Sequence, residues 1–223
     1  IGRFRAGRTR ADRHAQPRGS GAAGNERTVT RTGPDVPADP GRPVGHARAV
    51  KLAIVVQRYG HAINGGAELH ARYVAEHLAR HAQVEVWTTC ATDYVTWRNE
   101  LAAGDERVNN LLVRRFPVKH ERDPLTFGRL SEHVFNASHS VADELEWLEA
   151  EGPTSPGLVS HIAKHAGEFD FCIFFSYRYY HAFHGARAAG TRAILVPTAE
   201  RDPAVGLSIF GPIFRGVRAL MYN

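Results

Sequence analysis

Cysteine is almost missing from this chain: its 223 residues contain only Cys90 and Cys172. Two thiols that far apart build no disulfide framework and offer no zinc-ligand spacing. Long apolar runs are missing too. No stretch reaches the roughly 18 consecutive apolar residues that a membrane-spanning helix needs. The N-terminus lacks the apolar core of a signal peptide, so a cytoplasmic location is expected. Basic charge is missing from most of the chain, although the formal charge is +5 and the pI near 9.5. Residues 1–50 hold ten arginines against Asp12, Glu26, Asp35 and Asp39, whereas the remainder carries 18 basic and 19 acidic residues. The basicity belongs to the tail, so the folded part is not expected to bind nucleic acid.

What is present divides at residue 50. Residues 1–49 are rich in Arg, Gly, Pro, Ala and Thr, with the cluster GPDVPADPGRPVG at 33–45. So few large apolar residues cannot offset the entropy of ordering, and a disordered tail is expected. A basic arm for nucleic acid or acidic lipid is the alternative. The bias is also what GC-rich DNA gives when read past a true start. The globular pattern begins abruptly at Val50-Lys51, which predicts a native start near Val50.

From there, apolar strands alternate with amphipathic helices. Leu52 to Val56 is an unbroken apolar run, the mark of a central parallel strand covered on both faces. Gly65 and Gly66 follow, before the stripe Ala67, Ala71, Val74, Leu78 and Ala82, which predicts a helix over 66–81. Val84–Thr89 reads as a second strand and Asn110–Pro117 as a third. Residues 91–104 suggest a short helix or lid with exposed Tyr94 and Trp97. Residues 118–168 are mostly helical and are broken by GPTSPG at 152–157. Asp170–Ser176, Thr191–Pro197 and Ala219–Tyr222 complete six strands, with helices over Tyr179–Ala189 and Leu207–Arg218. The alternation predicts an α/β fold with a doubly wound, mostly parallel, Rossmann-like sheet over 50–223.

Ligands of such sheets lie beyond the carboxyl ends of the strands. Gly65 and Gly66 at a helix start are either a plain turn or an anion site, where unpaired N–H groups meet a phosphate or carboxylate. Neither G-x-G-x-x-G nor a P-loop is present, so no nicotinamide, flavin or nucleoside triphosphate cofactor is expected. Glu68 falls in the first helical turn, favoured by the dipole or free to meet a ligand hydroxyl.

The run VVQRYGHAINGGAELHARYVAEHLARHAQVEVWTTCATDYVTW resembles the N-terminal, acceptor-side domain of GT-B glycosyltransferases of family 4. These are retaining enzymes that use nucleotide sugars. IFGPIFRGVRALMYN is similar to the segment leading into their interdomain crossover, so the likeness covers about residues 50–223. It implies transfer of a sugar from a nucleotide-sugar donor to a glycan, lipid-linked or small-molecule acceptor, with no metal required. Asn64, Gly65, Gly66 and Glu68 would then line the cleft near the donor diphosphate or the acceptor. His181 would be a catalytic candidate, with Arg178, Tyr180 and His184 binding substrate. His181-x-x-His184 lacks a third ligand, so no metal is expected there.

Related sequences often carry a histidine–aspartate pair after the fifth strand. Here Glu200 stands where that histidine is expected, as a second catalytic candidate, with Asp202 binding acceptor hydroxyls. The family's glutamate pair belongs to a second domain, which these residues do not contain. The chain thus reads as a fragment, expected to be inactive alone. A non-catalytic Rossmann-like domain binding a phosphorylated ligand or a protein partner is the other reading. Ile209, Phe210, Ile213 and Phe214 beside Arg215 and Arg218 suggest either a peripheral membrane contact or core packing.

Overall fold

A computed structural model describes residues 48–222. The disorder expected for residues 1–47 lies outside the described residues. The backbone forms seven strands and six α-helices. They run β1 (Lys51–Val55), α1 (Gly66–Leu78), β2 (Gln83–Thr89), β3 (Gly104–Val108), β4 (Leu111–Phe116), α2 (Pro124–Asn136) and α3 (Val141–Glu151). Then come α4 (Pro156–His165), β5 (Phe171–Phe175), α5 (Tyr180–Ala189), β6 (Ala193–Val196), α6 (Gly211–Gly216) and β7 (Ala219–Leu220). All strands belong to one sheet in the order β3-β4-β2-β1-β5-β6-β7, parallel except for the antiparallel β3–β4 pair at one edge. Without β3, the six parallel strands follow the doubly wound order, and that order reverses between β1 and β5.

Side-chain alternation explains why the central strands are apolar throughout. Ala53 and Val55 face one core with Cys172 and Phe174, whereas Ile54 and Val56 face the other with Ile173 and Phe175. The second core is closed by α1 through Ala71 and Ala75. The first is larger and takes Val134 from α2, Trp147 and Leu148 from α3, Leu158 and Ile162 from α4, and Phe183 and Ala186 from α5. Both faces are therefore dry.

Three expectations need correction. No helix forms over 91–104. That segment is a loop held by the Ala91–Asn99 bridge, by Asp93 accepting from the Val95 and Thr96 N–H groups, and by Arg122 N–H donating to Thr96 O. Tyr94 is exposed as expected, but Trp97 is buried and donates to Glu151 O at 2.7 Å. β3 was not anticipated. It forms a hairpin with β4 through Asn109 and Asn110, both at positive φ (50° and 66°), the backbone that a tight hairpin turn demands and asparagine tolerates. Finally, Ile209, Phe210 and Ile213 are buried in the larger core, so these side chains are not available to a membrane surface. The helix expected over 207–218 shortens to α6, preceded by a 3-10 turn at Pro203–Gly206.

The long helical stretch resolves into three helices because each start is capped. Asp123 accepts from the Leu125 and Thr126 N–H groups ahead of Pro124. Ser140 and Asp143 form a reciprocal capping box, so Val141, Leu145 and Leu148 belong to a new helix.

Candidate functional site

A cleft of about 830 Å³ opens at the carboxyl ends of β1, β5 and β6, at the point where the strand order reverses. Its first wall is the turn after β1 and the start of α1. Leu69 N–H donates to Gly65 O at 2.8 Å as the first bond of the helix, leaving the N–H groups of Gly66, Ala67 and Glu68 without helical acceptors. Glu68 is buried and turns back to Arg58, whose Nε and Nη2 lie 2.8 and 2.6 Å from its Oε1. Arg58 also donates to Thr92 O at 2.7 Å, and its guanidinium sits 5.5 Å from the Tyr94 ring. The two glycines do different jobs. A Cβ on Gly65 would lie 2.8 Å from Glu68 Cδ, whereas a Cβ on Gly66 would meet nothing within 4 Å. Gly65 makes room for the ion pair, and Gly66 keeps the helix start open to the cleft.

The second wall comes from the turns after β5 and β6. Ser176 and Thr198 occupy the left-handed region at φ 65° and 47°, an uncommon conformation for a β-branched residue. Their hydroxyl oxygens are 2.7 Å apart. Beside them Asp202 accepts from Tyr177 Oη at 2.6 Å and from Arg178 Nη1 at 3.0 Å. Arg178 Nε also approaches Glu151 Oε1 at 2.8 Å, too bent for a hydrogen bond but close enough for an ion pair. Glu151 is shared, because Arg122 Nη2 donates to its other carboxylate oxygen at 2.9 Å. Burial weakens the hold of Arg178 on its proton, but Glu151 and Asp202 outweigh it and keep the guanidinium above its usual pKa. Burial also pushes the Glu151 carboxyl up, against the pull of Arg178 and Arg122.

The cleft brings together Gly66, Glu68, Arg178, Glu200 and Asp202 among the residues singled out from sequence. Asn64 is exposed and Gly65 half-buried, and neither lines it. Tyr180 and His184 pack on each other outside the cleft, with ring centroids 4.4 Å apart. His181 is fully buried, its ring stacked near Tyr179 and neither nitrogen hydrogen-bonded. Burial pushes its pKa down to about 4 against the opposing pull of the Phe175 backbone. As placed, it is a neutral ring that offers no nitrogen to the cleft. Among the described residues, no group of three or more His, Cys, Asp or Glu side chains could hold a metal ion.

Sequence reasoning passed over Gln57, Glu151 and Arg122. Gln57 lines the cleft while only 2% exposed, and its Oε1 has no hydrogen-bond partner. A glutamine ending an apolar strand was the available signal for it. Glu151 carries none, because it looks like any polar residue at a helix end. No protein-family model matches this chain, and no curated protein matches it in sequence.

Proposed function

We propose that residues 50–223 are the acceptor-side domain of a retaining GT-B glycosyltransferase of family 4. Such an enzyme moves a sugar from a nucleotide-sugar donor to a glycan, lipid-linked or small-molecule acceptor. The observation that carries this reading is the polar cleft at the reversal of strand order, into which the start of α1 opens at Gly66. In this reading a second domain presents the donor across the cleft. The free N–H groups of Gly66 and Ala67 face the departing diphosphate, whose charge they stabilise as preformed dipoles. Glu200 and Asp202 orient the acceptor hydroxyl. His181, being buried, serves as packing under Tyr179 instead of taking the acceptor's proton.

The test joins a family 4 donor domain after Asn223 and supplies labelled nucleotide sugars with a panel of acceptors. The expected product is a glycoside that retains the donor's anomeric configuration, read by NMR, with no turnover from residues 51–223 alone. Absence of transfer from every donor, in a chimera whose fold is intact by circular dichroism, removes the reading. Turnover by residues 51–223 alone removes the division of labour between two domains. A specific observation favours the second reading, a non-catalytic binding domain: Arg58 and Arg178 are both committed to internal carboxylates. Ligand binding without transfer in the chimera would select it.

A further inference from the structure

The cleft has a chemical bias of its own. Its lining holds three arginines (Arg58, Arg178 and Arg201) and three carboxylates (Glu68, Glu200 and Asp202). Arg58 is spent on Glu68, and Arg178 is spent on Asp202 and on Glu151 behind it. An entering anion would find its cations already neutralised and would have to approach like charge.

The unsatisfied groups point the same way. Thr198 Oγ1 donates to Pro197 O at 2.8 Å, so the proton in its contact with Ser176 belongs to Ser176 Oγ. A hydroxyl has one proton and two lone pairs, so both lone pairs of Ser176 Oγ remain for a ligand. Gln57 Oε1, buried against the same cleft, is another acceptor without a donor. A buried acceptor left unmade is costly, and only a ligand that brings O–H or N–H groups satisfies it. A phosphate dianion or a carboxylate brings none. Across the opening, Tyr94 is 60% exposed and offers a ring face at the cleft's edge.

We propose that this cleft is a subsite for an uncharged polyol, the hydroxyl-bearing face of a neutral sugar, and that it disfavours phosphorylated or acidic sugars. The inference rests on the glycosyltransferase reading only in calling that sugar the acceptor. Ser176 Oγ and Gln57 Oε1 accept from ring hydroxyls, and Tyr94 covers an apolar sugar face.

The experiment uses the full chain and no substitution in its main arm. Methyl glycosides of glucose, galactose, mannose and N-acetylglucosamine are each titrated against the matching 6-phosphate, with glucuronate added, while backbone amides are followed by NMR. At least one neutral glycoside is expected to shift the Gly66, Ser176 and Thr198 amides. Its 6-phosphate is expected to bind about tenfold more weakly or worse. Ser176→Ala should weaken the neutral ligand several-fold, and Glu200→Gln should narrow the discrimination against phosphate. A charged sugar binding as tightly as its neutral counterpart overturns the proposal, as does a panel that leaves the cleft amides unmoved. Failure of sugar transfer with the neutral preference intact would remove the enzyme reading and leave the subsite standing. Transfer to a phosphorylated acceptor in preference to the neutral one would do the reverse.

Discussion

On one side of the cleft, Arg58 and Glu68 are ten residues apart, and a single turn between β1 and α1 brings them together. On the other, Arg178 is held between Glu151, at the end of α3, and Asp202, beyond β6. The first wall is local chemistry. The second exists only after α3, β5 and β6 have packed, and it involves four charged groups instead of two: Arg122, Glu151, Arg178 and Asp202. Assembly of the second wall thus depends on the whole fold, and damage there should spread further.

Glu151 offers the hardest test of that contrast. Glu151→Leu leaves Arg122 and Arg178 facing each other without their shared carboxylate, where the side chain of Arg122 is only 9% exposed. Removing one partner of a buried pair is expected to cost about 3–5 kcal/mol. Glu68→Leu strands one arginine, which keeps its bond to Thr92 O, and should cost roughly half as much. Chemical denaturation of both variants checks the ranking; equal losses would show that the walls do not differ in this way.

His181 lies in α5 behind the second wall and makes that side sensitive to acid. Its folded pKa is about 4 against an ordinary 6.5, so the unfolded chain takes up its proton first. Stability is then flat above pH 6.5 and falls as the pH drops from 6.5 towards 4, by an amount on the order of 3 kcal/mol. Carboxylates held below their usual range, such as Glu144 and Asp143, add losses of their own at lower pH. The difference between wild-type and His181→Phe stability curves isolates the histidine. A difference that does not change between pH 7 and 4.5 would show that the buried ring titrates normally.

The same contrast explains what the sequence made legible. The apolar run at β1, the helix stripe and the alternation of strands and helices are local patterns, and they led to a mostly parallel α/β sheet before any coordinates. The glycine pair pointed to the correct end of that sheet. Glu151 and Arg122 did not show, because their importance comes from neighbours distant in the chain. The exposed placement expected for Trp97 failed for the same reason: its N–H partner, Glu151 O, is 54 residues away. β3 escaped because GDERV has charged residues at the strand's centre. That composition is ordinary for an exposed edge strand, where Asp105 and Glu106 pair across to Arg114 and Arg115. His181 was singled out by its place after a strand, but periodicity alone does not say which face of a short helix turns inward.

The finest test separates two adjacent residues that the sequence presents as equivalent. Gly65→Ala puts a methyl into the Glu68 carboxylate and must push it off Arg58. Overpacking of this kind costs about 1–3 kcal/mol, and loss of the pair would also free Arg58 to bind anions. Gly66→Ala meets open space at a helical position that alanine favours, so stability should change by no more than about 0.5 kcal/mol, with a slight gain expected. The added methyl nevertheless stands over the open N–H groups of α1, so ligand contact at the cleft should weaken while the melting temperature holds. Thermal melts and amide shifts on the two variants read both effects. If Gly66→Ala destabilises as much as Gly65→Ala, the open helix start is a packing device and the first wall loses its claim to a ligand.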